Sequence, residues 1–158
     1  MYVDDIIIIE NVSIFVATII NKLSHTFSVK DMGHLHIFLG IEVVPTAKGL
    51  FLSQHKYIQD LLSKTFMDMA KDIHTPMSTS TPLILTDGST STNSTEYQRV
   101  IGALQYLGLT RPDIAFVVNQ LSQFMHKPTT CHWTIAKQIL RYLKQTMFHG
   151  FLFNITTP

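Results

Sequence analysis

Charge is what this sequence has least of. Only 15% of its 158 residues are Asp, Glu, Lys or Arg, against about 25% in an average soluble domain. The formal net charge is +1, which excludes the strong overall field of a highly basic or highly acidic protein. Cysteine is nearly absent too. Cys131 stands alone, so an internal disulfide is excluded and a reducing compartment fits. The isoleucine run Ile6–Ile9 is too short to span a bilayer, and it follows Asp4 and Asp5 instead of a basic leader. Without a secretory signal, the sequons at Asn11, Asn93 and Asn154 carry little weight. An intracellular protein is expected, neither secreted nor membrane-bound, with its compartment unknown.

Negative charge is also missing locally. No acidic residue follows Asp113, while Lys127, Lys137, Arg141 and Lys144 remain. Such a stretch is either a face that meets phosphate or an ordinary solvated helix surface.

What is abundant is apolar: 46% of the residues are hydrophobic. That implies a large core, or apolar surface that something else covers. Tyr2-Val3 and Ile6–Ile9 read as two short β runs joined at the acidic turn Asp4-Asp5, the isoleucines being suited to a strand buried on both faces. Asn11 is a candidate cap for a helix whose apolar stripe is Val12, Phe15, Val16, Ile19, Ile20 and Leu23. Gly33 breaks the chain before a strand expected over Leu35–Val44. Turn residues Pro45–Gly49 lead to a second strand at Leu50–Leu52. A helix is expected from about His55 to Ala70, with Ile58, Leu61, Leu62, Phe66 and Met69 inward.

Thr, Ser, Pro, Asp and Gly dominate residues 72–95, where Thr75-Pro76, Thr81-Pro82 and Asp87-Gly88 predict a linker or long loop. Three helices follow in the expectation. One carries Tyr97, Val100, Ile101 and Leu104. The next starts near Pro112 and carries Ile114, Val117, Val118, Leu121 and Met125. The third is capped by Thr129 or Thr130 and carries Ile135, Ala136, Ile139, Leu140 and Leu143, before a short apolar strand Phe151–Phe153. The expected fold class is α+β, with residues 1–71, 72–95 and 96–158 as successive parts.

Two adjacent carboxylates at a tight hairpin suit one chemistry in particular. In nucleotidyl transfer, two divalent ions about 3.5–4 Å apart stabilise the attacking and leaving oxygens, and carboxylates are the oxygen donors magnesium prefers. By itself an Asp-Asp turn is far more often the solvated tip of an ordinary hairpin. Elsewhere, Arg111 and Asp113 flank Pro112 at a helix start, where Asp113 favours the positive end of the dipole, and capping and packing are a better account than catalysis. His34 and His36 alternate on a strand but have no third ligand at zinc spacing. Trp133 and Tyr142 suit either a core or a stacking platform for bases.

Tyr2-Val3-Asp4-Asp5 resembles the Tyr-x-Asp-Asp box of reverse transcriptases, and the order of later landmarks resembles the copia-type retrotransposon branch. These are Val29–Gly33, Phe38–Val43, Gly49–Gln54, Thr75-Pro76-Met77, Ile101–Leu107, Thr110–Ile114, Leu121–Met125, His132-Trp133 and Leu140–Lys144. The resemblance covers residues 1 to about 153. It implies a partial palm with the catalytic hairpin, then a thumb- or connection-like helical segment that leads towards a ribonuclease H domain. It implies that Asp4 and Asp5 bind Mg2+ (or Mn2+) and act in catalysis, with Tyr2 and Val3 as their hairpin neighbours. It further implies that Phe38, Leu39 and Gly40 position the primer end, while Lys137, Arg141 and Lys144 share a helix face that touches the duplex backbone. The implied partners are an RNA/DNA primer–template duplex and the remainder of a Pol polyprotein.

The resemblance also implies pieces these residues do not hold: a further palm aspartate, the fingers and the ribonuclease H domain. A chain without them is expected to be inactive alone. Glu10, Gly108 and Lys144-Gln145-Thr146 depart from the usual pattern. A non-catalytic nucleic-acid-binding remnant, or an unstable relic of a transposable element, is the alternative.

Overall fold

A computed structural model of the chain describes residues 6–8, 12–77, 83 and 88–154. The expected hairpin at Tyr2–Asp5, the departure at Glu10, and the turn residues Thr81, Pro82 and Asp87 lie outside them. Met1–His36 and Ile37–Pro158 form two compact units.

In the first unit, helix α1 spans Ser13–Thr26. Its N-cap is Val12, which has no side chain able to accept a hydrogen bond, so the helix begins one residue later than a cap at Asn11 would require. Only part of the expected stripe is covered: Val16, Ile19, Ile20 and Leu23 are half-buried, while Val12 and Phe15 are exposed. Ile6, Ile7 and Ile8 form no strand, and Ile6 and Ile7 are exposed. This corrects the expectation of a strand buried on both faces: among the described residues no neighbouring strand pairs with them, and a lone extended run has nowhere to send its backbone hydrogen bonds. At Gly33 (φ +73°) the chain turns as expected, with the Asp31 carboxylate accepting from the Gly33 N–H at 2.8 Å.

The second unit is α+β. Its sheet is antiparallel throughout, in the order β1 (Ile37–Phe38), β2 (Ile41–Thr46), β3 (Gly49–Ser53), β4 (Phe151–Asn154). The single strand expected over Leu35–Val44 is therefore two, because Leu39 (φ +47°) and Gly40 (φ +71°) fold it back on itself. Positive φ at both central residues is the signature of a two-residue hairpin turn that matches strand twist. A second tight turn joins Thr46 to Gly49, where the Thr46 hydroxyl donates to the Gly49 carbonyl at 2.9 Å.

Strand β4 arrives from the far end of the unit and pairs with β3, Leu52 opposite Phe151 and Gly49 opposite Asn154. The pairing requires a glycine on each side. A Cβ on Gly49 (φ +146°) would collide with the Phe153 carbonyl, and one on Gly150 with the Leu52 carbonyl. Gly49→Ala is accordingly expected to cost about 2–3 kcal/mol in chemical denaturation. Gly102→Ala, exposed in a helix with nothing within 4 Å, is expected to add about 0.5–1 kcal/mol. Equal effects at the two positions would contradict the β3–β4 pairing.

Four helices build the core: α2 (His55–Lys64), α3 (Ser94–Tyr106), α4 (Pro112–Ser122) and α5 (Thr130–Gln145), with a 3-10 turn at Leu107–Leu109. The apolar stripes expected of the last three converge. Tyr97, Val100, Ile101 and Leu104 meet Ile114, Val117, Val118 and Leu121, and both meet Ile135, Ala136, Ile139, Leu140 and Leu143. Ile58, Leu61 and Leu62 of α2 join the same cluster, so the core draws on both sides of residues 72–95. Caps follow local chemistry. The Asn93 side chain accepts from Thr95 and Glu96 N–H, Pro112 occupies the first turn of α4, and Thr129 forms a capping box with His132.

Two expectations about helix ends need correction. Met125 lies beyond α4, half-buried against the core. Helix α2 stops at Lys64, and Phe66 and Met69 are about nine-tenths exposed instead of inward. The Thr65 hydroxyl turns back to the Leu61 and Leu62 carbonyls, and Phe66 takes a left-handed conformation (φ +55°), which ends the helical period that projected both residues inward. The close of the long loop is stitched down: Thr92 N–H donates to Pro128 and Thr130 N–H to Thr90, with Ser91 bridged to Thr129. No described helix is long and apolar enough to cross a membrane.

Candidate nucleic-acid interface

The β1–β2 hairpin exposes its tip and rests on partly covered aromatic supports. Ile37 and Leu39 are largely exposed. Behind them, the Tyr106 hydroxyl donates to the Leu39 carbonyl, and its ring tilts against Tyr57 at 5.0 Å between centroids. The Tyr57 hydroxyl in turn donates to the Ala103 carbonyl at 3.3 Å. Burial, with Tyr106 beside it, raises the Tyr57 phenol above its ordinary pKa, so it stays a hydrogen-bond donor. The space that a side chain on Gly40 would fill faces the Tyr106 phenol, 3.4 Å from a Cβ there. That is an ordinary contact distance, so it is the turn's positive φ that favours glycine here.

Glu42 fastens the same hairpin to α2. One carboxylate oxygen accepts from the Ser53 hydroxyl at 2.8 Å, and the other from the Lys56 backbone N–H at 3.1 Å. A negative charge at the first turn of a helix is favourably placed. At the end of β3, the buried Gln54 side chain accepts from the buried Thr110 hydroxyl at 2.6 Å. Phe38, Leu39 and Gly40 are therefore presented by a framework fixed on three sides, while Ile37 and Leu39 stay exposed to touch something else.

Lys137, Arg141 and Lys144 all lie on α5, but their surroundings differ. Lys137 is exposed, its Nζ 5.5 Å from the centre of the Trp133 ring. Arg141 Nε donates to the Lys71 carbonyl at 2.6 Å. Lys144 Nζ donates to the Ala70 carbonyl at 2.9 Å and pairs with Asp72 at 3.1 Å. Two of the three cations thus already hold the segment after α2. Trp133 is half-buried against the core and tilts towards Tyr97.

A buried cation sits at the helix start where capping and packing were expected of Arg111 and Asp113. Arg111 is 1% exposed. It grips the Asp113 carboxylate with two hydrogen bonds of 3.0 and 2.7 Å, and the Thr146 carbonyl and hydroxyl at 3.0 and 2.7 Å. The Tyr142 hydroxyl also donates to Asp113 at 2.7 Å. Burial alone would raise the Asp113 pKa. The hydrogen bonds from Arg111 and Tyr142, with the Arg111 charge, outweigh it and hold the carboxyl below its ordinary range. Thr146 and Tyr142 were not singled out as its partners in the sequence, because nothing local links them to Arg111.

Tyr2, Val3, Asp4 and Asp5 lie outside the described residues. Among the described residues, no group of three or more His, Cys, Asp or Glu could hold a metal ion, His34 and His36 included.

The profile of the reverse transcriptase (RNA-dependent DNA polymerase) family matches residues 1–79. The chain is 48% identical over 150 residues to the retrovirus-related Pol polyprotein from transposon RE2 of Arabidopsis thaliana, and 51% identical to that from transposon RE1 of the same plant. Each match covers 95% of this chain and 10% of the polyprotein. An uncharacterised mitochondrial protein of Arabidopsis thaliana is 44% identical over 154 residues, with 95% of this chain and 62% of that protein covered. The chain spans about a tenth of the length of the two Pol polyproteins. No solved structure matches.

Proposed function

Because the chain belongs to the copia-type reverse transcriptase (RNA-dependent DNA polymerase) family, we propose that it is a segment of a retrotransposon RNA-directed DNA polymerase. In this proposal Asp4 and Asp5 hold the catalytic ions and the Phe38–Gly40 turn positions the primer end. One observation carries it: the family profile runs continuously from the Asp-Asp box through that turn.

The donor chemistry suits Mg2+ or Mn2+, since two adjacent carboxylates offer hard oxygen ligands. When bound, such ions would neutralise charge on the attacking and leaving oxygens of the phosphoryl centre. The work of the remaining residues is positional. The hairpin, fastened through Glu42 and Tyr106, would offer Leu39 and Ile37 to a primer strand without yielding under it. Lys137, Arg141 and Lys144 would meet the phosphate backbone of the duplex, a contact that weakens as salt rises.

Nucleotidyl transfer requires groups beyond these 158 residues, namely a further metal-binding carboxylate and a grip on the incoming nucleotide. The partners proposed are therefore the primer–template duplex and the rest of a Pol polyprotein. The test is primer extension on an RNA template, with the chain mixed with a separately expressed segment that carries the missing groups. Magnesium-dependent extension by the mixture, and by neither component alone, is expected. Absence of extension, or extension that survives Asp4→Asn, overturns the catalytic proposal.

A second reading is favoured by the four cations and no acid after Asp113: a non-catalytic nucleic-acid-binding remnant. It predicts salt-dependent duplex binding that Asp4→Asn leaves intact, with no extension in any mixture.

A further inference from the structure

We propose that residues 70–75 form a strap over the cationic side of α5, and that a nucleic-acid backbone binding there displaces it. The inference rests on the reading of that face as a phosphate-binding one.

Three side chains on α5, Gln138, Arg141 and Lys144, recur every third residue, a spacing that keeps neighbours on one side of a helix. Each donates to a backbone carbonyl of the same short segment: Gln138 to Thr75 at 3.3 Å, Arg141 to Lys71 at 2.6 Å, and Lys144 to Ala70 at 2.9 Å. Lys144 also pairs with Asp72 at 3.1 Å. The segment has little else to hold it. Among the described residues, no backbone–backbone hydrogen bond involves residues 71–77, and none of those residues lies in a helix or strand. Its two ends are anchored independently, by α2 on one side and by Met77 against the core on the other. The middle can leave while the ends stay.

The bonds that fasten it are of a kind that phosphate replaces. A carbonyl oxygen offers a partial charge, whereas a phosphate oxygen offers a full one and its binding releases counterions. The Lys144–Asp72 pair has side chains 26% and 47% exposed, so solvent and salt weaken it. Arg141 and Lys144 cannot grip the strap and a duplex backbone with the same nitrogens in the same geometry. Lys137 has no hydrogen bond to the strap among the described contacts and remains the open point at which a duplex would first arrive.

The experiment is limited proteolysis of the full chain with proteinase K, cuts within residues 70–75 being mapped by mass spectrometry, with and without an RNA/DNA primer–template duplex. Duplex binding is followed separately by fluorescence anisotropy at low salt. The expected result is cutting about tenfold faster within residues 70–75 when duplex is bound. Asp72→Asn removes the pair with Lys144 without changing a residue of α5 and is expected to speed the same cutting in the free chain. The pair Arg141→Gln and Lys144→Gln is expected to do so more strongly and to weaken duplex binding. Cutting that stays unchanged or slows while duplex is demonstrably bound overturns the strap and leaves the nucleic-acid reading standing. No binding at low salt overturns both.

Discussion

Arg111→Met is expected to lower the stability of the chain by about 2–3 kcal/mol, because hydrogen bonds to a charged group are lost while the carboxylate left behind, 36% exposed, keeps its access to water. The guanidinium is 1% exposed and answers four acceptor atoms, two on Asp113 and two on Thr146. Methionine replaces its bulk and none of its hydrogen bonds. The Asp113 carboxylate then keeps only the Tyr142 hydroxyl among these partners, and the end of α5 at Thr146 loses its tie to the start of α4. Denaturant unfolding at neutral pH measures the loss, and a cost under about 1 kcal/mol would mean the cation is not truly desolvated. Tyr142→Phe removes one hydrogen bond to a charged group and is expected to cost less, about 1.5 kcal/mol.

The same cluster sets a pH dependence. Asp113 is held below the ordinary carboxylate range in the folded chain, so the unfolded chain binds its proton more readily. Its contribution to stability is therefore present above the unfolded value, about 3.9 for an aspartate, and disappears as pH falls through the lower folded value. Arg111→Met is expected to flatten that part of the acid-unfolding curve. A curve of unchanged slope would place the acid sensitivity elsewhere.

Asp4→Asn carries the largest expected effect on activity. In a mixture competent for primer extension, it is expected to reduce the rate by about a thousandfold, roughly 4 kcal/mol in the barrier. Asparagine keeps the shape of the side chain but takes away the negative charge that the proposal assigns to holding a divalent ion, so the loss should fall on chemistry and not on duplex affinity. Single-turnover extension and duplex binding, measured on the same preparation, separate the two. A variant that binds duplex normally but extends at the wild-type rate would remove Asp4 from the site.

Much of the second unit was legible in the linear pattern. The stripes Tyr97–Leu104, Ile114–Leu121 and Ile135–Leu143 are each buried as their spacing required, because a helix with one apolar stripe must bury it whatever its partner. Pro112 and Thr129 start their helices for reasons contained within a few residues. The order of the longer landmarks was sufficient to identify the family, and the profile match and the Pol relatives agree with it. The roles of Asp4 and Asp5 rest on that family argument alone.

Pairings and targets were settled only in three dimensions. Phe151–Phe153 reads as a strand, yet nothing near it says that β3 is its partner, or that Gly49 and Gly150 make room for it. The break at Leu39-Gly40 splits a run that looks continuous, since a leucine at positive φ goes against its local preference and the Tyr106 prop lies far along the chain. Lys137, Arg141 and Lys144 share a helical spacing, but the contacts of Arg141 and Lys144 with residues 70–72 follow from where α2 ends. Periodicity and capping are short-range properties, so the amino-acid order alone determined where helices form and which sides they bury. Strand partners, the buried Arg111 cluster and the free or occupied state of each cation depend on atoms brought together from distant parts of the chain, and the tertiary structure decided those.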